Sequence, residues 1–124
     1  MIGHRLGPVS TIFFDTVRNL QTARNLDTNI CYKTRSLLEE NGKLEDINEE
    51  KNALRFCTED GNLGKAVIDN TKTAFYNMKP VAMPILGVSS EKFDEMVETC
   101  AKELEDNKSY HEVVRVYGRK KGII

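Results

Sequence analysis

Apolar residues recur every three or four positions in several parts of the chain. The clearest repeat is Phe93, Met96, Val97, Cys100, Ala101 and Leu104. That spacing lays one apolar stripe along a helix. Ser89 and Ser90 stand ahead of it as hydroxyl caps, and Glu91 and Asp94 sit in the first turns, where the helix dipole favours anions. The spacing predicts a helix over 89–106. Glu98 and Lys102 form an i,i+4 pair of favourable order, worth a few tenths of a kcal/mol. Burying Phe93, Met96 and Leu104 contributes about 1.5–3 kcal/mol each, so burial outweighs the surface pair several-fold. Glu103, Glu105 and Asp106 oppose the dipole at the far end.

Two more helices are expected upstream. Val9, Ile12, Phe13, Val17 and Leu20 share one face of a helix over about 9–24, with Ser10 or Thr11 as its cap and Phe14 off the main stripe. Asn25-Leu26-Asp27-Thr28-Asn29 is a turn-rich break. Ile30, Cys31, Thr34, Leu37 and Leu38 then make the apolar face of a helix over 29–40, ended by Asn41-Gly42. The short connection makes these two helices antiparallel neighbours. Residues 43–52 are mostly charged and read as a surface loop or a frayed helical turn. Their carboxylates Glu45, Asp46, Glu49 and Glu50 read as a solvated face.

The middle admits two patterns. Asp60-Gly61 between the apolar runs 53–58 and 63–68 is a hairpin signal, because glycine accepts positive φ. Under that reading 71–78 is a third strand. The rival is a helix over 62–78, in which Leu63, Val67, Thr71, Ala74 and Met78 recur at helical spacing. Pro80 and Pro84 then argue against a regular helix and for an extended linker over 79–88. At the end of the chain, Val113-Val114-Arg115-Val116-Tyr117 is β-branched and aromatic and predicts a strand that stops at Gly118.

The fold class expected is therefore α+β: two N-terminal helices, a small antiparallel sheet from roughly 53–78, the long helix 89–106 and a final strand. An all-α bundle is the alternative, with 62–78 helical. The length of 124 residues suits one globular domain, taken as 1–118, followed by a basic tail over 119–124.

Charge changes this picture more than composition does. The apolar and charged fractions, 40% and 30%, are ordinary for a soluble domain, and the net charge is −1. Its distribution is uneven. Residues 35–60 hold four basic and eight acidic side chains, whereas residues 108–124 hold five basic and one acidic. The end of the chain is cationic and the stretch after the second helix is anionic.

Candidate chemistry is sparse. Cys31, Cys57 and Cys100 are odd in number and widely spaced, which suits buried thiols in a reducing compartment better than disulfides. No C-x-x-C or nearby histidine suggests a metal site, so neither a metal nor a cofactor is expected. His4 and His111 are the only histidines. A small enzyme using a Cys/His pair, with Cys57 or His111, remains one alternative, although Cys100 belongs to the core stripe. The paired carboxylates lie in polar runs, where their environments stay ordinary. Gly87-Val88-Ser89-Ser90 lacks the glycine pattern of a phosphate loop and reads as capping. The start of the chain lacks the apolar run of a signal peptide, and no stretch is long enough to span a bilayer, so cytoplasmic placement without membrane partners is expected.

What folding leaves unexplained is the cationic end. Arg115, Tyr117, Arg119, Lys120 and Lys121 are the candidate binding residues. Their guanidinium and ammonium groups suit phosphates or carboxylates, and Tyr117 suits stacking. Tyr117-Gly118-Arg119-Lys120-Lys121 resembles the start of an arginine-rich RNA-binding peptide over five residues, with no arginine run after it. The leading expectation is a non-catalytic protein-binding or regulatory module, whose partner is another protein or a second copy offering the acidic segment. Weak nucleic-acid binding through the basic segment is the alternative.

Overall fold

The computed structural model describes residues 2–122. In chain order the elements are β1 (Gly3–His4), α1 (Pro8–Ala23), α2 (Ile30–Asn41), β2 (Leu44–Arg55), a 3-10 turn (Thr58–Asp60), α3 (Asn62–Leu86), α4 (Ser90–Asp106) and β3 (Tyr110–Lys120). The fold is α+β, with four helices and a three-stranded antiparallel sheet among the described residues.

The two outer helices and the capped helix form where their spacing places them. Ser89 caps α4 by accepting from the Lys92 N–H at 3.1 Å. Its stripe residues Phe93, Val97, Cys100 and Leu104 are buried. At the start of α1, Pro8 takes the first helical position, where a missing N–H costs nothing. The cap is not Ser10 or Thr11, as the sequence suggests. Gly7 is the capping residue, and the orphan amides of α1 are satisfied from α4: the Glu103 carboxylate accepts from the Val9 N–H at 3.0 Å and from the Ser10 N–H and hydroxyl at 2.9 and 3.1 Å. Ser10 in turn accepts from the Gly7 N–H at 2.7 Å. Glycine at position 7 leaves room for this carboxylate, because a Cβ would lie 2.5 Å from Glu103 Oε1 and push it aside. Glu103 thus opposes the dipole of its own helix and complements that of its neighbour.

The middle follows the helical pattern and not the hairpin. Residues 62–86 form one helix, so the expected strands over 53–78 and the expected extended linker over 79–88 are both replaced by α3. Gly61 does take positive φ, 75°, but it leads out of the 3-10 turn into α3. Gly64 lies so close to the Cys57 carbonyl that no side chain fits. Pro80 and Pro84 stay within the helix because they are four apart on its exposed side. The carbonyls they deprive, those of Tyr76 and Pro80, lie one turn earlier on that side, while Phe75 and Ala82 hold the opposite face in the core. Glu98 does not pair with Lys102 along α4. It bridges to α3, accepting from Lys72 and from the Tyr76 hydroxyl, each at 3.0 Å.

Phenylalanines centre the core. The Phe13 ring stacks on Phe75 at 4.7 Å and meets Phe93 edge-on at 5.4 Å. Phe14, off the expected stripe, is buried as well and bridges Phe56 and Phe75. Helix α2 is apart from this core. It leans on β2 and β3 instead of lying beside α1 as the short connection suggests, none of its residues is fully buried, and Ile30 and Leu37 of its apolar face are half exposed.

The sheet order is β1-β3-β2. The charged stretch expected to be a loop over 43–52 is most of β2, paired with β3 from Leu44↔Lys120 to Arg55↔Tyr110. Asp46 takes φ 53° at an irregularity between Glu45 and Asn48, a conformation Asp tolerates. Strand β3 does not stop at Gly118. It continues to Lys120, and the Lys121 N–H bonds the Lys43 carbonyl at 3.0 Å. Residues 123–124 of the expected basic tail lie outside the described residues.

Candidate functional site

All five candidate binding residues fall on one strand or just past its end. Lys108, at φ 48°, turns the chain out of α4, and the buried Ser109 anchors the turn by donating its hydroxyl to the Arg5 carbonyl at 2.6 Å. From there Arg115, Tyr117 and Arg119 alternate along β3.

The acidic segment is their partner within the chain. Arg115 lies opposite Glu50 and approaches it to 3.5 Å, and its guanidinium lies 4.7 Å from the centre of the Tyr117 ring. The Tyr117 hydroxyl donates to Glu50 at 3.2 Å. Arg119 lies opposite Glu45 and contacts both Glu45, at 3.1 Å, and Asp46, at 2.8 Å. Carboxylates that read as a solvated face in the sequence are cross-strand counter-charges, although they remain exposed. The opposite net charges of the two segments were the signal for this pairing. Among the described residues, Lys120 and Lys121 have no carboxylate within ion-pair distance.

Hydrogen-bond phase decides which side of β3 is satisfied. Opposed residues of an antiparallel pair alternate between bonded and non-bonded positions. The Phe56 N–H bonds the Ser109 carbonyl at 2.9 Å at one end of the ladder, and the Lys121 N–H bonds Lys43 at the other. Odd-numbered residues of β3 therefore direct their backbone groups to β2. Even-numbered ones face the β1 side. There β1 pairs only with Tyr110 and His111. Beyond it the backbone groups of Val114, Val116, Gly118 and Lys120 have no strand partner among the described residues.

A cleft of about 690 Å³ flanks the start of this edge. It lies between the α1–α2 connection, with Leu26 and Asp27, and β3 at His111–Val114, and the half-buried Cys31 lines it. Lys33 beside Asp27 holds that carboxyl below the usual carboxylate range. Nearby, the His4 ring stacks on Tyr110 at 4.8 Å, and His4 Nε2 lies 3.7 Å from the Glu112 carboxylate.

Cys31 lines this cleft together with His111, whereas Cys57 and Cys100 do not. Cys57 and Cys100 are buried, and burial pushes the Cys100 thiol up to about 12. Burial also holds the His111 imidazole below its usual range, with its ring 5.5 Å from Phe56. Among the described residues, no group of three or more His, Cys, Asp or Glu side chains is placed to hold a metal ion, and no helix is long and apolar enough to cross a membrane. No family model, curated protein or solved structure matches the chain.

Proposed function

We propose that this chain is a non-catalytic protein-binding or regulatory module, acting in the cytoplasm, whose working surface is the unpaired edge of β3. The carrying observation is the run of backbone groups at Val114, Val116 and Gly118 that have no strand partner among the described residues, on a strand paired along its other side with β2. An extended segment of another polypeptide would add to such an edge through main-chain hydrogen bonds, with side chains on alternate faces supplying specificity. Arg115 and Arg119 already have carboxylate partners, so a phosphate would have to compete for them.

Proline at Val116 tests this reading, because it removes an edge N–H that takes no part in the β2 ladder. Partners recovered by the wild-type chain and lost with Val116→Pro, at unchanged circular dichroism, are the expected outcome. Equal recovery by both proteins would overturn the edge as the binding surface.

Nucleic-acid binding is the second reading, favoured by the cluster of Lys43, Lys120 and Lys121 at the far end of the sheet. It predicts a salt-sensitive affinity that falls when Arg119, Lys120 and Lys121 are changed to alanine.

A further inference from the structure

We infer that the segment taken up by the open edge of β3 is an extended acidic peptide, held in the slot between that edge and α2. This rests on the reading of the β3 edge as a binding surface and names the chemistry of its occupant.

β1 and the residue before it cover β3 as far as Glu112, so the free positions run from Val114 to Lys120. Helix α2 lies along them. Its first residue, Ile30, lines the cleft at His111–Val114. Its last, Asn41, is two residues before Lys43, whose carbonyl bonds Lys121 at the far end. The face it covers is that of Val114 and Val116. The Lys51 ammonium lies 5.8 Å from the centre of the Tyr32 ring, and Lys51 stands opposite Val114.

Helical phase turns an apolar flank of α2 toward the open edge. Tyr32 marks the side over β2. Ile30 and Leu37 are seven apart, so they share the opposite side, and each is half exposed. Cys31, Thr34 and Leu38, partly buried, face the sheet between the two flanks. A helix is about 10 Å across and strands lie about 4.8 Å apart, so α2, seated on β2 and β3, overhangs the next strand position. A strand added there would bond the β3 backbone and bury alternate side chains against Val114, Val116, Ile30 and Leu37. Those side chains are therefore apolar.

Charge sets the other end. Arg115 and Arg119 are held by Glu50, Glu45 and Asp46, but Lys43, Lys120 and Lys121 have no ion-pair partner among the described residues. Lys43 and Lys121 stand opposite each other, where like charges destabilise a strand pair. Carboxylates on the incoming strand would relieve this. Lysines on an exposed strand discourage pairing with an edge that carries the same cations, so they select an anionic one. Antiparallel to β3, as β1 is, the occupant carries its carboxylates first and its two apolar residues, spaced by one, toward its C-terminal end.

The capped octapeptide Asp-Glu-Thr-Thr-Thr-Val-Thr-Val, titrated into the full chain and followed by amide NMR, tests this. Saturable shifts and slowed hydrogen exchange at Val114, Val116 and Gly118 are expected, with an affinity that falls at high salt. A peptide with Lys-Lys in place of Asp-Glu should bind about tenfold more weakly. Leu37→Ser, at an exposed position, should weaken the acidic peptide about fivefold. Lys120→Glu should reverse the preference between the two peptides, which loss of folding cannot imitate. No binding of the acidic peptide, equal binding of both peptides, or edge amides already protected in the peptide-free chain by a second copy would overturn the proposal. So would a single-stranded oligonucleotide that shifts Lys120 and Lys121 where the peptide shifts nothing. If the acidic peptide fails while Val116→Pro still abolishes a captured partner, this occupant alone is overturned and the edge reading stands. If Val116→Pro changes nothing either, both fall.

Discussion

Glu50 and Arg115 stand opposite each other in β2 and β3, and their side chains meet at 3.5 Å. Tyr117 joins them, donating its hydroxyl to Glu50 while its ring lies beside the Arg115 guanidinium. The most acidic and most basic segments of the chain thus fold onto one another. Because both partners are exposed, the pair contributes to specificity of register more than to stability. A double-mutant cycle with Glu50→Ala and Arg115→Ala in urea denaturation should give a coupling of about 0.2–1 kcal/mol. A coupling near zero would remove the pair from the account of the register.

Glu103 should matter far more. Its carboxylate takes two α1 amides and the Ser10 hydroxyl across the part-buried α1–α4 junction. Glu103→Ala is expected to cost about 2 kcal/mol by equilibrium denaturation, and Glu103→Gln, which keeps one acceptor oxygen, less. Gly7→Ala should act through the same carboxylate, because its Cβ would displace it. Equal stability of the Gln and Ala variants would contradict this assignment.

Thiol reactivity follows burial. Cys31 is half-buried beside the cleft, whereas Cys57 and Cys100 are buried and the Cys100 thiol is held protonated by a value pushed up to about 12. Since the thiolate is the nucleophile, iodoacetamide at neutral pH should label Cys31 first and the other two only on unfolding. Mass spectrometry of peptides reads the order, and early labelling of Cys100 would contradict the placement of α4.

His111 sets a pH dependence. Its folded-state value lies below the ordinary 6.5, mainly because burial penalises the imidazolium. The unfolded chain then binds the proton more readily, so this contribution is complete above about pH 6.5 and is lost as the pH falls below it. The urea midpoint should drop between pH 7.5 and 5.5, and it should drop less in His111→Gln. An equal drop in both proteins would assign the effect elsewhere.

Helices α1, α2 and α4 were legible because each carries its own spacing and turn signals. The class α+β was legible too, but its sheet lay elsewhere. In β2, Glu45, Asp46, Asn48, Glu49 and Glu50 are poor strand formers taken singly. They become a strand only because β3 offers cross-strand partners about seventy residues later in the chain. In α3, two prolines argued against a helix, yet their cost falls on carbonyls of the exposed side. Pro84→Ala should accordingly stabilise the protein, by about 1–2 kcal/mol once the greater freedom of the unfolded chain is allowed for. The cap of α1 was hidden for the same reason as β2. Glu103 is ninety-three residues from Ser10, and no local pattern joins them. Of the site, the cationic residues were visible and the open edge was not, because an edge exists only once its neighbours have paired.

Residue-resolved amide hydrogen exchange along β3, in dilute solution, tests this arrangement most directly. The structure predicts alternation: Val113, Arg115 and Tyr117, bonded to β2, exchange slowly, while Val114 and Val116, facing the open edge, exchange fast. Fast exchange at all five positions would mean a loose cationic tail, and slow exchange at all five would mean an edge that is already covered. Either result would contradict the account.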